Sequence, residues 1–584
     1  MNTLKKINSE STELPDCIIS HIFSLLSLKN LVKTSALSKQ WYHEWGLRKD
    51  LTFDLHNMFD YSTVPELPTT LPPFQQIQFQ FAASLYNFMQ TYPGDMISSI
   101  RVKFPLGIDH TYAIDGLIHK GVLKGANRIE LLFACETDFN IQPYKFLFPF
   151  LSGPNSLTYL HLQNCHLAAT MEFSGLKNLR TLVLTIVPVK QNMLHYLFFN
   201  CIHLENFSLN QCLFLSDLKI TSPSLLHLNI NCGPIISWRN IDIIASKLLS
   251  IEFSSDCNYD RSLRMVNIKS HMLFKFSYKC GNISNLVDFS GLRNVTTIEF
   301  DGLRECLQSE VITHLFSECL QLEDVTFKEC NIKCDMKISG TKLRHLRIID
   351  CLYESRCSYK IDIDAFNLSS FEYRSHTIMN PIISVWAPKL LKVFWDAGSR
   401  MENVYNFGTI ARLHLLEDLT MHLGLSQISE LRKDLVRFQN LRQLKLFIVG
   451  AYKPERDYLW ILDIAMASPH LQKLSLTIRN GNSKTSHMVG SQRQRREHVR
   501  FIHKDLKYVE LHGCVCSITV IELASHLLRS ATLLKQITFS CRHNFYIGAG
   551  RWTLDFDGCC WFERNFIHEH LKDEVNEQCR LIIL

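Results

Sequence analysis

Cysteines and histidines at short spacing are where this 584-residue chain could hold a metal ion or a nucleophile. Cys330 and Cys334 in CNIKC, Cys514 and Cys516 in CVC, and the adjacent Cys559 and Cys560 would each need a matching second pair to close a zinc site, and none has one at the right spacing. His568 and His570 in IHEHL stand two residues apart, which does not bring two ligands onto one helical face as HExxH does. GAGRW lacks the third glycine of a dinucleotide loop and the lysine of a phosphate loop, and no GxSxG nucleophile turn stands out. These residues read as repeat-core or surface positions, so no catalytic residue, metal site or cofactor is expected. The basic run SQRQRREHVR, with Arg493, Arg495, Arg496 and Arg500, reads as a solvated loop between repeats; a nuclear-import signal or a patch for an acidic partner is the alternative.

The residues that demand a partner are apolar ones. In LPDCIISHIFSLLSL, residues 14–28, a helix places Ile18, Ile19, Ile22, Phe23, Leu25 and Leu26 over an arc of roughly 160°, wider than the stripe of about 100° that one core contact needs. A second surface must cover the remainder. Pro15 suits a first helical turn and Asp16 the positive end of the helix dipole. Ser27 can cap a second helix starting near KNLV, and Ser35 a third in which Leu37, Trp41 and Trp45 recur every four residues.

Composition sets the frame for these elements. Hydrophobic residues make up 46% and charged residues 20% of the chain, the balance of a folded protein, and a net charge of +6 over this length gives no argument for a nucleic-acid or membrane partner. The start, MNTLKKINSES, lacks the apolar segment of a secretory signal, and no run reaches the roughly eighteen apolar residues that a membrane helix needs. The expectation is an intracellular protein, in the nucleus, the cytoplasm or both, whose 20 cysteines are reduced thiols.

Further along, SLTYLHLQNCHL places Leu157, Leu160, Leu162, Cys165 and Leu167 at the spacing LxxLxLxxCxL, the leucine-rich pattern. It recurs in HLENFSLNQCLF, QLEDVTFKECNI, KLRHLRIIDCLY, NLRQLKLFIVGA, HLQKLSLTIRNG and DLKYVELHGCVC. Each unit lays down one short strand whose leucines point inward, and stacking buries what a single unit could not. Cys165, Cys212, Cys330, Cys351 and Cys514 fall just after the strands, where a buried side chain can hydrogen-bond the turning backbone. Leu204 aligns on Leu322, Cys212 on Cys330 and Leu225 on Leu343 at a constant offset of 118, room for about five units in a continuous array.

Taken together, the chain resembles the plant F-box/leucine-rich-repeat/FBD family. The F-box likeness rests on Leu14, Pro15, Ile18, Ile22, Phe23, Leu26, Leu31, Ser35 and Trp41, with Leu37 where many F-boxes have valine. DLKYVELHGCVCSITVIELASHLLRSATLLKQITF looks like the FBD region, a strand followed by a helix and a further strand, and AIDGLIHKGVLKGANRIEL resembles a segment in which relatives usually carry tryptophan at the place of Leu117. The resemblance implies an α/β fold: a three-helix F-box, then a leucine-rich-repeat solenoid with a curved parallel sheet, then an FBD-like C-terminal cap. The expected boundaries are a disordered tail at 1–13, the F-box at 14–47, a linker at 48–75 containing PELPTTLPPF, the solenoid at 76–505 and the FBD-like region at 506–584.

The resemblance also implies partners. An F-box of this kind docks on a Skp adaptor, which joins it to cullin and RING subunits, with Leu14, Pro15, Ile18, Ile22, Phe23, Leu26, Leu31, Ser35, Leu37 and Trp41 as the adaptor-binding face. The target protein would lie on solvent-facing sheet positions, for which Tyr159, His161, Arg347, Phe394, Lys445, Tyr508 and Glu510 are candidates because strand residues flanking the inward leucines face outward. The implied role is a non-catalytic substrate receptor of an SCF-type ubiquitin ligase. A binding scaffold outside any ligase, or a small-molecule receptor in which a hormone completes the sheet surface, is the alternative.

Overall fold

The computed structural model describes residues 16–584 apart from 35, 38–44, 60–70, 134–140, 152–155, 169–175, 215–216, 233–239, 256–264, 282–288, 304–306, 333, 354–358, 376–380, 397–412, 425–427, 429–437, 451–456, 481–500, 549, 556–562 and 576–577. The expected tail 1–13, Leu14, Pro15, Ser35, Trp41, Cys559, Cys560 and the basic run at 491–500 therefore lie outside the described residues. The chain gathers into two compact units, Met1–Leu273 and Phe274–Leu584.

In the first unit, strands Asp50–Asp54, Ser99–Lys103, Arg128–Leu132, Tyr159–Gln163, Thr181–Thr185, Asn206–Asn210, His227–Cys232 and Ser250–Ser255 pair in that order, each parallel to the next. The register stacks like on like. Leu160, Leu182, Phe207, Leu228 and Ile251 form one inward ladder, and Leu162, Leu184, Leu209, Ile230 and Phe253 the next. None of these ten is more than 2% exposed, as the two-residue period of a strand requires when one face is core. Helices Leu71–Thr91 and Thr111–Leu123 belong to the same unit and pack on one another, and Leu117 is 1% exposed, so leucine fills its apolar site.

The second unit repeats the scheme with strands Lys275–Gly281, Thr297–Leu303, Asp324–Lys328, His345–Ile349, Ser370–Arg374, Lys392–Asp396, Asp418–Leu423, Gln443–Gly450, Lys473–Asn480, Tyr508–Gly513, Gln536–Ser540 and Arg580–Ile583, again all parallel. The expected strand–helix–strand of the FBD-like region is present as Tyr508–Gly513, Ile518–Ser530 and Gln536–Ser540, with Ser517 capping the helix through Val520 N–H at 3.3 Å. Its strands extend the ladder of the preceding repeats in register, so residue 506 marks no break in the sheet.

Turns after the strands share one conformation. Asn164, Gln211, Glu329 and Asp350, each just before a repeat cysteine, have φ of 52° to 53°, and Gly513, before Cys514, has φ of 81°. This left-handed step swings the next residue inward: Cys165, Cys330 and Cys351 are fully buried and Cys212 is 6% exposed. Their thiols donate back to strand carbonyls, Cys212 to Leu184 at 3.3 Å and Cys330 to Lys328 at 3.3 Å. Burial raises the Cys212 thiol to about 12 and the Cys165 thiol further still, so these are structural groups. Cys514 departs from the expectation of reduced thiols, since it is disulfide-bonded.

The segment expected as a linker, 48–75, is corrected by the structure. Asp50–Asp54 is the first strand of the sheet, paired with Ser99–Lys103, and Leu55–Met58 is a short helix capped by Asp54, which accepts from Asn57 N–H at 2.8 Å. Leu51 and Phe53 are fully buried. The prolines further along drew the boundary too early; LTFD alternates as a strand should.

Candidate functional site

The N-terminal helix Asp16–Leu25 divides its apolar residues between two stripes. Ile19 and Phe23, 4% and 0% exposed, face inward, and the helix packs on the turn Trp45–Leu47. About 100° away round the helix stand Ile18, Ile22 and Leu25. Ile18 is 45% and Leu25 74% exposed, Ile22 and Leu26 are half-buried, and Leu37 beyond the second helix is 71% exposed. The surplus arc expected from the sequence is therefore open to solvent. Phe23 and Leu31, expected on the adaptor-binding face, are both fully buried and hold the helices together instead. The second helix, Leu28–Thr34, starts at the expected cap, Ser27 accepting from Asn30 N–H at 3.2 Å. The third helix expected from Ser35 falls largely outside the described residues.

This helical module is clamped rather than tethered. Arg48 closes the C-terminal end of the first helix, donating to the carbonyls of Phe23 at 3.2 Å and of Leu26, where cationic groups complement the helix dipole. The Tyr92 hydroxyl lies 2.8 Å from the Arg48 carbonyl and 3.0 Å from that of Gly46. Burial raises its pKa, keeping it a neutral donor. Trp45 completes the joint edge-on to Phe88 and Tyr92, with centroids 5.3 and 5.5 Å away.

The sheet candidates are differently placed. In the first unit Tyr159 and His161 are half-buried: Arg128 stacks on the Tyr159 ring at 3.6 Å, and His161 Nε2 lies 3.1 Å from the Thr185 hydroxyl. Burial lowers the His161 pKa, which favours the neutral ring. In the second unit the register sets Arg347, Glu372, Phe394, Thr420, Lys445, Ser475 and Glu510 side by side in one row, with Tyr508 in the row before.

Most of that row is already engaged. Arg347 pairs with Asp324 at 2.5 Å and with Glu372 at 3.7 Å. Glu510 pairs with Lys473 at 2.7 Å, and interaction with His512 and then Lys473 holds its carboxyl at about 2. Lys445 is the exception, half-buried and without an ion pair or side-chain hydrogen bond among the described residues.

Phe394 is 4% exposed, because a hairpin covers it. Strands His543–Tyr546 and Trp552–Asp555 pair antiparallel, unlike every strand of the main sheet. The hairpin leaves the sheet after Gln536–Ser540 yet lands on strands five to seven places back along the ladder. There Tyr546 donates to Glu372 Oε1 at 2.8 Å and sets its ring edge-to-face on Phe394, centroids 5.0 Å apart. Arg374 donates to the Ile547 carbonyl at 2.7 Å. Gly548, with φ of 86°, sits where a Cβ would lie 2.7 Å from Ile349 Cδ1. The charge-assisted hydrogen bonds contribute about 1.5–3 kcal/mol each and the ring pair about 0.5–1.5 kcal/mol. A hairpin this short is marginal by itself, so seating on the sheet is what orders it. Gly548, Gly550 and Arg551 of GAGRW thus lie at the hairpin tip, and Trp552 opens its second strand.

Among the described residues no group of three or more His, Cys, Asp or Glu side chains is placed to hold a metal ion. His570 Nδ1 lies 2.8 Å from the Phe566 carbonyl within its own helix, and Cys334 donates to the Leu307 carbonyl at 3.1 Å. No described helix is long and apolar enough to cross a membrane.

Comparison with known families agrees with this architecture. The F-box domain matches residues 11–49, and the leucine-rich-repeat family described as At1g61320/AtMIF1, LRR domain, matches 97–305 and 275–575. The chain is a plant F-box/leucine-rich-repeat protein. Similar proteins of Arabidopsis thaliana include the putative F-box/FBD/LRR-repeat protein At3g49030, 30% identical over 17% of this chain and 18% of that one. F-box/LRR-repeat protein At3g26922 is 27% identical over 41% of this chain and 74% of its own length, and F-box protein At1g80960 25% identical over 41% and 48%. The match thus spans less than a fifth of the first relative and about half of the third. Among solved structures, the TLR13–ssRNA13 complex covers 84% of this chain and 80% of its own at 12% identity and a TM-score of 0.32. The Drosophila Toll–Spatzle complex covers 83% and 67%, at 12% identity and a TM-score of 0.27. Neither bears on function.

Two parts of this F-box/LRR protein escaped the sequence reading. Leu25 belongs to the open stripe but was not among the candidate contacts; its seven-residue spacing from Ile18 was the available signal. Tyr546 and Trp552, flanking a glycine-rich turn, carry a hairpin signal of their own.

Proposed function

We propose that this protein is the substrate-recognition subunit of an SCF-type ubiquitin ligase: the F-box helices dock on a Skp adaptor, cullin and RING subunits follow through it, and the repeat sheet holds a target protein. The observation that carries the reading is the divided first helix. Ile19 and Phe23 saturate the inward side while Ile18 and Leu25 stay open, and an apolar stripe of this kind on a folded module marks a protein contact. Burying an Ile or Leu side chain contributes about 1.5–3 kcal/mol, so two or three such residues supply a large share of an adaptor's affinity. The chain itself performs no covalent step; it raises the local concentration of target lysines near a ubiquitin-charged enzyme that other subunits carry. Such a complex works in the nucleus, the cytoplasm or both.

The test is co-purification. Ile18→Glu with Leu25→Glu is expected to abolish retention of a Skp adaptor while far-UV circular dichroism and the melting temperature stay at the parent values. Undiminished adaptor binding by a folded double variant overturns the docking assignment.

A further inference from the structure

Between the hairpin and the sheet of the second unit lies a slot of about 170 Å³. The sheet lines it with Phe394, Thr420, Lys392 and Lys445, and the hairpin with Tyr546 and Trp552. Pockets for whole small molecules run to about 300–1,000 Å³, so this one has room for a single side chain.

Its electrostatics are lopsided. Glu372 on the wall is already taken, accepting from Tyr546 at 2.8 Å with Arg347 at 3.7 Å. Asp418 lies beside Lys392 in register and balances one of the two lysines in formal charge, without an ion pair among the described residues. Lys445 remains half-buried, with no acceptor among the described residues, in a row where Arg347 and Glu510 are both paired. A lysine without an ion pair in a slot also lined by aromatic rings favours an incoming anion, and the rings suit an aliphatic stem.

We propose that the slot is a reading pocket for one acidic side chain, Glu or Asp, of a target polypeptide, its carboxylate on Lys445 and its stem against Phe394, Tyr546 and Trp552. The proposal rests on the sheet being the target surface and names the chemistry by which it selects. The C-terminal hairpin is then part of the recognition site, since without it the pocket has only one wall. Trp552, 57% exposed, extends that wall to the mouth and is available to the residues flanking the acid.

The test is selection of random heptapeptides on the immobilised full-length chain. Peptides retained by the parent protein should share an acidic residue at one position. Lys445→Met should weaken a selected peptide about tenfold, the loss of one partly desolvated charge pair. Lys445→Glu should turn the preference at that position to Lys or Arg, which a merely structural lysine would not do. Trp552→Ala, at an exposed site where folding is tolerant, should weaken the same peptide severalfold. Peptides without an acidic preference, no retained peptide at all, or a preference that Lys445→Glu leaves unchanged would each overturn the pocket. Adaptor co-purification is untouched by these variants. Acidic selection through Lys445 in a chain that never binds a Skp adaptor would therefore remove the ligase reading and leave the pocket standing.

Discussion

The N-terminal helices and the sheet face of the second unit both meet solvent, and they do so in opposite ways. On the helices, Ile18 and Leu25 present apolar surface that nothing among the described residues covers. On the sheet, Arg347, Arg374 and Glu510 are paired, and Phe394 is roofed by Tyr546. An uncovered apolar stripe gains free energy with any complementary partner and suits a constant one. A satisfied polar face gains little from a random partner and rewards only one that replaces what is already there, which is the property of a selective surface. Under the proposed function, the helices would take the common partner and the sheet the variable one.

The sharpest way to break this contrast lies within a single helix. Phe23→Ala removes a fully buried ring and should cost about 3–5 kcal/mol of stability, read by urea unfolding, with adaptor binding falling only as the module unfolds. Ile18→Glu with Leu25→Glu should do the reverse: stability within about 0.5 kcal/mol of the parent and adaptor affinity down a hundredfold or more, near 2.7 kcal/mol. If both changes lowered stability equally, the two stripes would not be distinct.

That division was only half legible beforehand. Spacing alone showed that six apolar residues were too many for one stripe, but which side turned inward depended on Trp45–Leu47 and Arg48, which only the folded chain brings into contact. The repeats were legible because each strand is its own signal, leucine at alternate positions followed by a residue that must turn. The turn itself was readable in retrospect, since Asn, Asp and Gly precede several repeat cysteines and tolerate positive φ. The hairpin's destination was not. His543–Asp555 settles five or more strands from where it leaves the sheet, and no local pattern encodes a contact that distant in sequence, such as Tyr546 with Glu372.

On the sheet side, Tyr546→Phe keeps the ring on Phe394 and deletes the hydroxyl donated to Glu372. It should loosen the hairpin by about 1.5–3 kcal/mol, visible as faster amide hydrogen exchange at residues 543–555 with the rest of the second unit unchanged. Uniform exchange rates across parent and variant would mean that the roof is held by other contacts and that Phe394 is buried for a different reason.

A smaller effect tests the turn that shapes both sheets. Ile186 occupies the left-handed position with φ of 53°, where its neighbours in the series carry Asn, Gln, Glu or Asp, and it is 39% exposed, so little burial is lost on replacement. Ile186→Asn should stabilise the protein by about 1 kcal/mol, because a β-branched residue is strained there and asparagine is not. The Ile186 N–H donates to the Asn210 carbonyl at 2.8 Å and survives the change. A lower unfolding midpoint would show that the exposed isoleucine is doing something other than filling a turn.

The mildest expected effect concerns the satisfied charges themselves. Glu510 titrates at about 2 in the folded protein against an ordinary 4.5, drawn down by His512 and Lys473. Because the folded value is the lower one, its ionised form stabilises the protein fully above about pH 4.5, and that contribution fades as pH falls toward 2. The carboxylate is only half-buried, so solvent and salt reduce the contribution to below about 1 kcal/mol. Glu510→Gln should therefore be slightly less stable than the parent at pH 7, the gap closing near pH 2 and shrinking in concentrated salt. A gap that stays constant through acid would mean that Glu510 acts by shape rather than charge, and the sheet face would then owe less of its selectivity to paired ions than its neighbours Arg347 and Arg374 imply.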